Sequence, residues 1–150
     1  MKEQASFSKF GTSFQEGLCQ LIFEDRPFAD QIMEVLDINF LELEYLRVFV
    51  SKLFTYRAKY NLHPVADTIE TILQTELESE NEVTRQQAIE YFAKIQESGL
   101  HDSEYIKDTA LDFCRKQKLK EAMLRSVNLL KKSSFDEISK VINEALILGS

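Results

Sequence analysis

Glycine and proline are scarce, at four and two residues among 150. That scarcity disfavours a turn-rich β architecture, in which these residues punctuate many short strands. Cysteine is limited to Cys19 and Cys114, and each falls inside an apolar helical pattern. The N-terminal "MKEQASFSKF" lacks the apolar stretch of a secretory signal. Both cysteines therefore read as reduced core thiols. No run approaches the roughly 18 apolar residues of a membrane-spanning helix; the longest tracts are fragments such as "ALIL". A soluble, cytoplasmic protein is expected.

Chemical motifs are missing as well. There is no G-x-x-x-x-G-K-[ST], no G-x-G-x-x-G and no H-E-x-x-H. The two histidines, His63 and His101, fall at predicted helix boundaries without a second ligand at metal-binding spacing. Acidic pairs in "FED", "LELE" and "ELESE" fit a solvated surface. No catalytic residue, cofactor or metal is assigned.

What is present is helix. Hydrophobic residues make up 44% of the chain and include eleven phenylalanines, enough for a packed core. Three Ser-x-x-Glu boxes, at Ser13, Ser79 and Ser134, read as helix N-termini. Apolar faces at helical spacing follow in order: Phe14, Leu18, Leu21 and Ile22; Phe28, Ile32, Val35 and Leu36 after Pro27; Leu46, Phe49, Val50, Leu53 and Phe54, with Arg57 and Tyr60 in the same register, within 42–60. A fourth helix begins at Pro64 with Val65, Ile69, Ile72, Leu73 and Leu77. A fifth carries Ala88, Tyr91, Phe92 and Ile95, with Gly99 as its C′ residue.

Asp102 or Ser103 then opens a long helix with one stripe of Ile106, Ala110 and Phe113 and another of Leu119, Met123, Val127 and Leu130. After the short turn "KKSSFDE" comes a return helix with Phe135, Ile138, Val141, Ile142 and Ala145. The expected fold is all-α: a compact bundle of about five helices in 1–100, then an antiparallel helical hairpin in 101–150.

Charge is uneven. Residues 1–114 hold 10 basic and 21 acidic residues, a balance of −11, and residues 115–150 hold 8 and 4, a balance of +4. The net charge of −7 argues against a nucleic-acid binder as a whole. The basic run, with Arg115, Lys116, Lys118 and Lys120 at its head, reads as a face for protein contact, with DNA or plain solvation as its competitors. A DNA-reading helix-turn-helix would need the basic residues after the turn, and here they precede it.

The order of these features resembles the N-terminal domain of DnaB-type replicative DNA helicases, in the divergent form of tailed phages. The matching stretches are "FQEGLCQLIFEDRPFADQIMEVLDINF" with Glu16, Leu18 and Leu21, "LRVFVSKLFTYRAKY", "HPVADTIETIL" with Pro64 and Thr68, and "SEYIKDTALDFCRKQKLKEAM" with Tyr105, Asp108, Arg115 and Ala122. The likeness spans residues 14–148. The acidic "LESENEVTRQQ" departs from the bacterial pattern, so a different partner surface is expected there.

The resemblance implies a collar module of a hexameric helicase. Hairpins would pair through Leu119, Met123, Val127, Leu130, Ile138 and Ile142, and the collar would present a surface to a primase or helicase loader. It also implies an ATPase motor C-terminal to this stretch, so that the ATP-binding site would belong to the parent helicase and this chain would be a non-enzymatic fragment. No direct nucleic-acid or membrane partner is expected. The alternatives are a stand-alone helical adaptor or regulator and, behind it, a small helical enzyme. Because no phosphate-binding loop is present, the pure chain is expected to release no phosphate from ATP, with or without DNA. Turnover that survives repurification would sink that expectation.

Overall fold

The computed structural model describes residues 4–78, 80–132 and 134–149. They form an all-α fold with no strand among them: α1 (Thr12–Glu24), α2 (Arg26–Met33), α3 (Glu44–Tyr60), α4 (Ala66–Thr75), α5 (Glu82–Glu97), α6 (Ser103–Lys131) and α7 (Phe135–Gly149). Short 3-10 turns at Ser8–Phe10 and Ile38–Phe40 precede α1 and α3.

The apolar faces meet in one core. Helix α1 packs against α2, α3 and α6, while α5 joins α3 to α4. Leu18, Cys19 and Ile22 of α1, Ile32 of α2 and Phe49, Val50 and Leu53 of α3 are fully buried. Burial pushes both thiols up, Cys114 to about 12 and Cys19 further, so neither is poised as a nucleophile. Phe7 is buried as a wedge ahead of α1. Its amide donates to the Phe40 carbonyl at 2.8 Å, and its ring lies 5.0 Å from Phe113 of α6 and 5.8 Å from Phe40.

Two buried glutamines fasten α1 to distant backbone. The Gln15 side-chain Oε1 accepts the Glu42 amide at 2.8 Å, and its Nε2 donates to the Glu42 carboxylate at 2.8 Å. Gln20 Nε2 donates to the Ser98 carbonyl at 2.9 Å, just past the end of α5. That bond satisfies an orphan carbonyl at the helix end, and Gly99, the expected C′ residue, does not take the left-handed conformation.

Helix starts differ in detail from the sequence reading. Ser13 lies inside α1; its N-cap is Gly11, whose φ of 87° favours a residue without Cβ. The expected partner Glu16 instead accepts from the Tyr45 hydroxyl at 3.2 Å and pairs with Lys94 at 3.0 Å. Ser79 lies outside the described residues; the Asn81 side chain caps α5 by accepting the Thr84 amide at 2.7 Å. Ser134 precedes α7, and its carbonyl accepts the Ile138 amide at 3.0 Å. Helices α3 and α4 each begin two residues later than the spacing predicts.

Asp25 ties two helices together. It caps α2 by accepting the Phe28 amide at 3.0 Å and pairs with Lys107 of α6 at 2.5 Å. The Lys107 hydrogen bond, seconded by the Phe28 amide, holds its carboxyl below the usual carboxylate range against the opposing effect of partial burial. A folded value below the unfolded one makes this contribution full above about 3.8 and lost as pH falls through the lowered value. Asn at this position can still cap but cannot pair with Lys107. Asp25→Asn is therefore expected to lower the urea midpoint at neutral pH, with the gap from wild type closing below about pH 4. Urea titrations from pH 7 to pH 2 check this; a gap that stays constant into acid would contradict it.

Candidate protein-interaction surface

The surface begins with a helix that never breaks. Residues 103–132 contain no Gly and no Pro, and α6 runs 29 residues, about 44 Å at 1.5 Å per residue. Its first part belongs to the main core through Ile106, Ala110, Leu111 and Cys114. Gly17 makes room there, since a Cβ at that position would stand 2.9 Å from Ile106 Cδ1. The second part of α6 packs with α7.

The α6–α7 seam is a separate and smaller cluster. Ala122, Val141 and Ala145 are buried, with Leu119, Leu129 and Ile142 half-buried around them. The two alanines let the helices approach closely. At the turn, the Lys132 and Ser134 amides both donate to the Leu129 carbonyl, at 3.0 and 3.1 Å. Ser126 turns its hydroxyl back onto the Ala122 carbonyl at 2.8 Å, which spares the seam an unbonded polar group.

Much of the hairpin's apolar side chain lies outside this seam. Met123 is 57% exposed, Leu124 50%, Val127 53%, Leu130 57%, Phe135 67% and Leu146 55%. Among the described residues, eight of the fourteen exposed large hydrophobic side chains sit between 123 and 148. Single exposed apolar residues mean little, but a concentration of them on one element makes that element a candidate interaction surface.

The residues proposed from the sequence for self-association divide accordingly. Leu119 and Ile142 meet in the hairpin's own seam, and Ile138 is half-buried, whereas Met123, Val127 and Leu130 face solvent. The 3.6 spacing alone did not single out Leu124 or Leu146. Their exposure depends on which side of α6 faces α7, and the small residues Ala122 and Ala145 are the sequence signal for that seam.

The basic residues split between two sides of α6. Lys116 and Lys120 are exposed and lie one turn apart; Arg115 and Lys118 are half-buried. Lys116 pairs with Asp112 at 2.8 Å and Lys118 with Glu121 at 3.8 Å, which offsets part of the positive charge. Lys120 has no ion-pair partner among the described residues.

The titratable clusters elsewhere act as fasteners. The Tyr91 hydroxyl donates to the Glu16 carbonyl at 2.5 Å, and burial raises the Tyr91 phenol well above its ordinary value. Burial together with the Glu16 carboxylate pushes Tyr45 to about 12. Both phenols therefore stay protonated donors. His63 is held between Arg57, 2.5 Å from Nδ1, and the Phe23 carbonyl, 2.5 Å from Nε2, and Arg57 also pairs with Asp30. Arg57 can only donate, so Nδ1 accepts and Nε2 carries the proton. The clasp links α1, α2, α3 and the loop that follows α3. Among the described residues no group of three or more His, Cys, Asp or Glu side chains could hold a metal ion, and no helix is long and apolar enough to cross a membrane.

No protein-family model, curated protein or solved structure matches the chain significantly.

Proposed function

We propose that this chain is the N-terminal assembly and partner-binding module of a hexameric DnaB-type replicative DNA helicase. Its hairpins pair to build a collar, and the collar offers a docking surface to a primase or loader. The observation that carries this reading is the projecting hairpin. Among the described residues its own seam buries Ala122, Val141 and Ala145, with Leu119, Leu129 and Ile142 half-buried, while Met123, Val127 and Leu130 stay in solvent. A second hairpin would remove those side chains from water, and burial of apolar area drives such association. The order of features that resembles the helicase family supplies the biological setting. A stand-alone adaptor would use the same apolar face on a different protein and would remain a monomer alone.

Two measurements test the proposal. Sedimentation of the wild type at several concentrations is expected to show a dimer or larger species. Met123→Asp with Val127→Asp places charge in the apolar contact, at a cost of several kcal/mol when buried, and is expected to sediment as a monomer. If both chains are monomers at high concentration, hairpin pairing is wrong.

The second measurement concerns the basic run. Arg115, Lys116, Lys118 and Lys120 serve protein contacts rather than DNA. The run lacks interleaved aromatics for base stacking, and Phe113, the aromatic beside it, is packed against Phe7 and Phe40. Fluorescence anisotropy with labelled single- and double-stranded DNA is expected to show weak binding at low salt that vanishes at physiological salt. Micromolar binding that persists there, and that is lost when the four residues become Ala, would overturn the claim.

A further inference from the structure

The acidic side of the head carries a cleft. Helices α4 and α5 leave a groove of about 230 Å³ between them. Leu73 and Phe92, both buried, form its floor beside Ile89 and Ala93. Asp67 and Glu70 form its α4 lip; both are exposed, and neither has an ion-pair partner among the described residues. The nearby cation, Arg85, is already engaged by Glu82 at 3.3 Å and the Gln74 carbonyl at 3.1 Å. Around the groove the imbalance is strong. Residues 64–96, which span its lining, contain seven acidic side chains and two basic, Arg85 and Lys94, and Lys94 is paired with Glu16.

The same chain carries the opposite pattern. Residues 115–132 hold seven basic side chains and one acidic. Lys116, Lys120 and Leu124 recur at intervals of four, all exposed on one side of α6, so two ammonium groups lead up to one branched aliphatic side chain; Lys120 has no ion-pair partner among the described residues, and the exposed pair of Lys116 with Asp112 has to open for Lys116 to reach the lip. A groove with an apolar floor and an acidic lip accepts that arrangement, with Leu124 over Leu73 and Phe92 and the lysines toward Asp67 and Glu70.

We infer that the α4–α5 groove docks helix α6 of a second copy of this chain, in a head-to-tail contact distinct from hairpin pairing. Charge complementarity names the occupant. The contact is heterologous, so its repetition generates a ring or an open chain, whereas an isologous hairpin pair stops at two. It rests on the reading that copies of the chain assemble, but it uses different residues and has a different salt dependence. Opposed surface charges are screened within about 8–10 Å at moderate ionic strength, while apolar pairing survives added salt.

The test uses two charge-reversed chains, one with Asp67→Lys and Glu70→Lys, the other with Lys116→Glu and Lys120→Glu. Met123 and Val127 are left intact in both, and circular dichroism verifies folding. At roughly 0.05 M salt the wild type is expected to form species larger than a dimer, with that step weakening about tenfold or more by roughly 0.5 M. Each variant alone is expected to lose the step. An equimolar mixture is expected to regain it, because each groove then meets an α6 of opposite sign. The species that persists at high salt reports hairpin pairing separately. A larger species that ignores both salt and charge reversal overturns the groove contact. So does a wild type that never exceeds a dimer at low salt, or a mixture that fails to recover; in those cases the groove's occupant is another protein or none.

Discussion

Helix α6 belongs to two cores at once, and the rest of the molecule is arranged around that fact. Its first turns are locked among α1, α2 and the Phe7 wedge by Ile106, Ala110, Leu111, Cys114 and Phe113. Its last turns build the small seam with α7. With no Gly or Pro between 103 and 132, the helix has no built-in hinge, so the head sets the direction in which the hairpin projects. Gly17 and the Asp25–Lys107 pair both lie on the contact between the head and this helix. A small residue permits the approach, and a capped, paired carboxylate holds it.

Periodicity made the helices legible. Most of the apolar positions read at 3.6 spacing in the head point into the core, from Phe14, Leu18 and Ile22 through Phe92 and Ile95, whereas Tyr60 at the end of α3 and Val65 just before α4 are exposed. The hairpin was legible too, because a long unbroken pattern, a short polar turn and a second pattern leave few other arrangements. Local capping was less so. Ser13 satisfied a sequence rule that the helix did not use, because α1 already begins at Thr12, with Gly11 at the N-cap position in a positive-φ conformation. Asn81 supplied a cap with no box around it.

What could not be read were the long-range polar bonds. Gln15 meets Glu42 across 27 positions and Gln20 meets Ser98 across 78, and nothing in the local pattern distinguishes these from surface glutamines. The same holds for the Arg57, His63 and Asp30 clasp. Such groups become buried only after the helices pack, and once buried they must find partners. On the hairpin, spacing gave the candidate stripe but not its division. Leu119 and Ile142 went to the seam and Met123, Val127 and Leu130 to solvent, because the close approach at Ala122 and Ala145 decides which side turns inward.

That division links structure to assembly. A hairpin whose seam buries two alanines and a valine removes little apolar area from water, while ordering its backbone and side chains opposes folding throughout its length. Its N-terminal anchorage in the head supplies part of the difference. The exposed row of Met123, Leu124, Val127 and Leu130 can supply more only when something covers it. Charge then decides which coverings are productive. An apolar face alone would accept many partners, whereas Lys116 and Lys120, exposed before Leu124 on α6, would add a sign requirement at the separate groove contact and favour its acidic lip. In the proposed assembly, the uneven charge along the chain would supply specificity to a surface whose affinity would come from apolar burial.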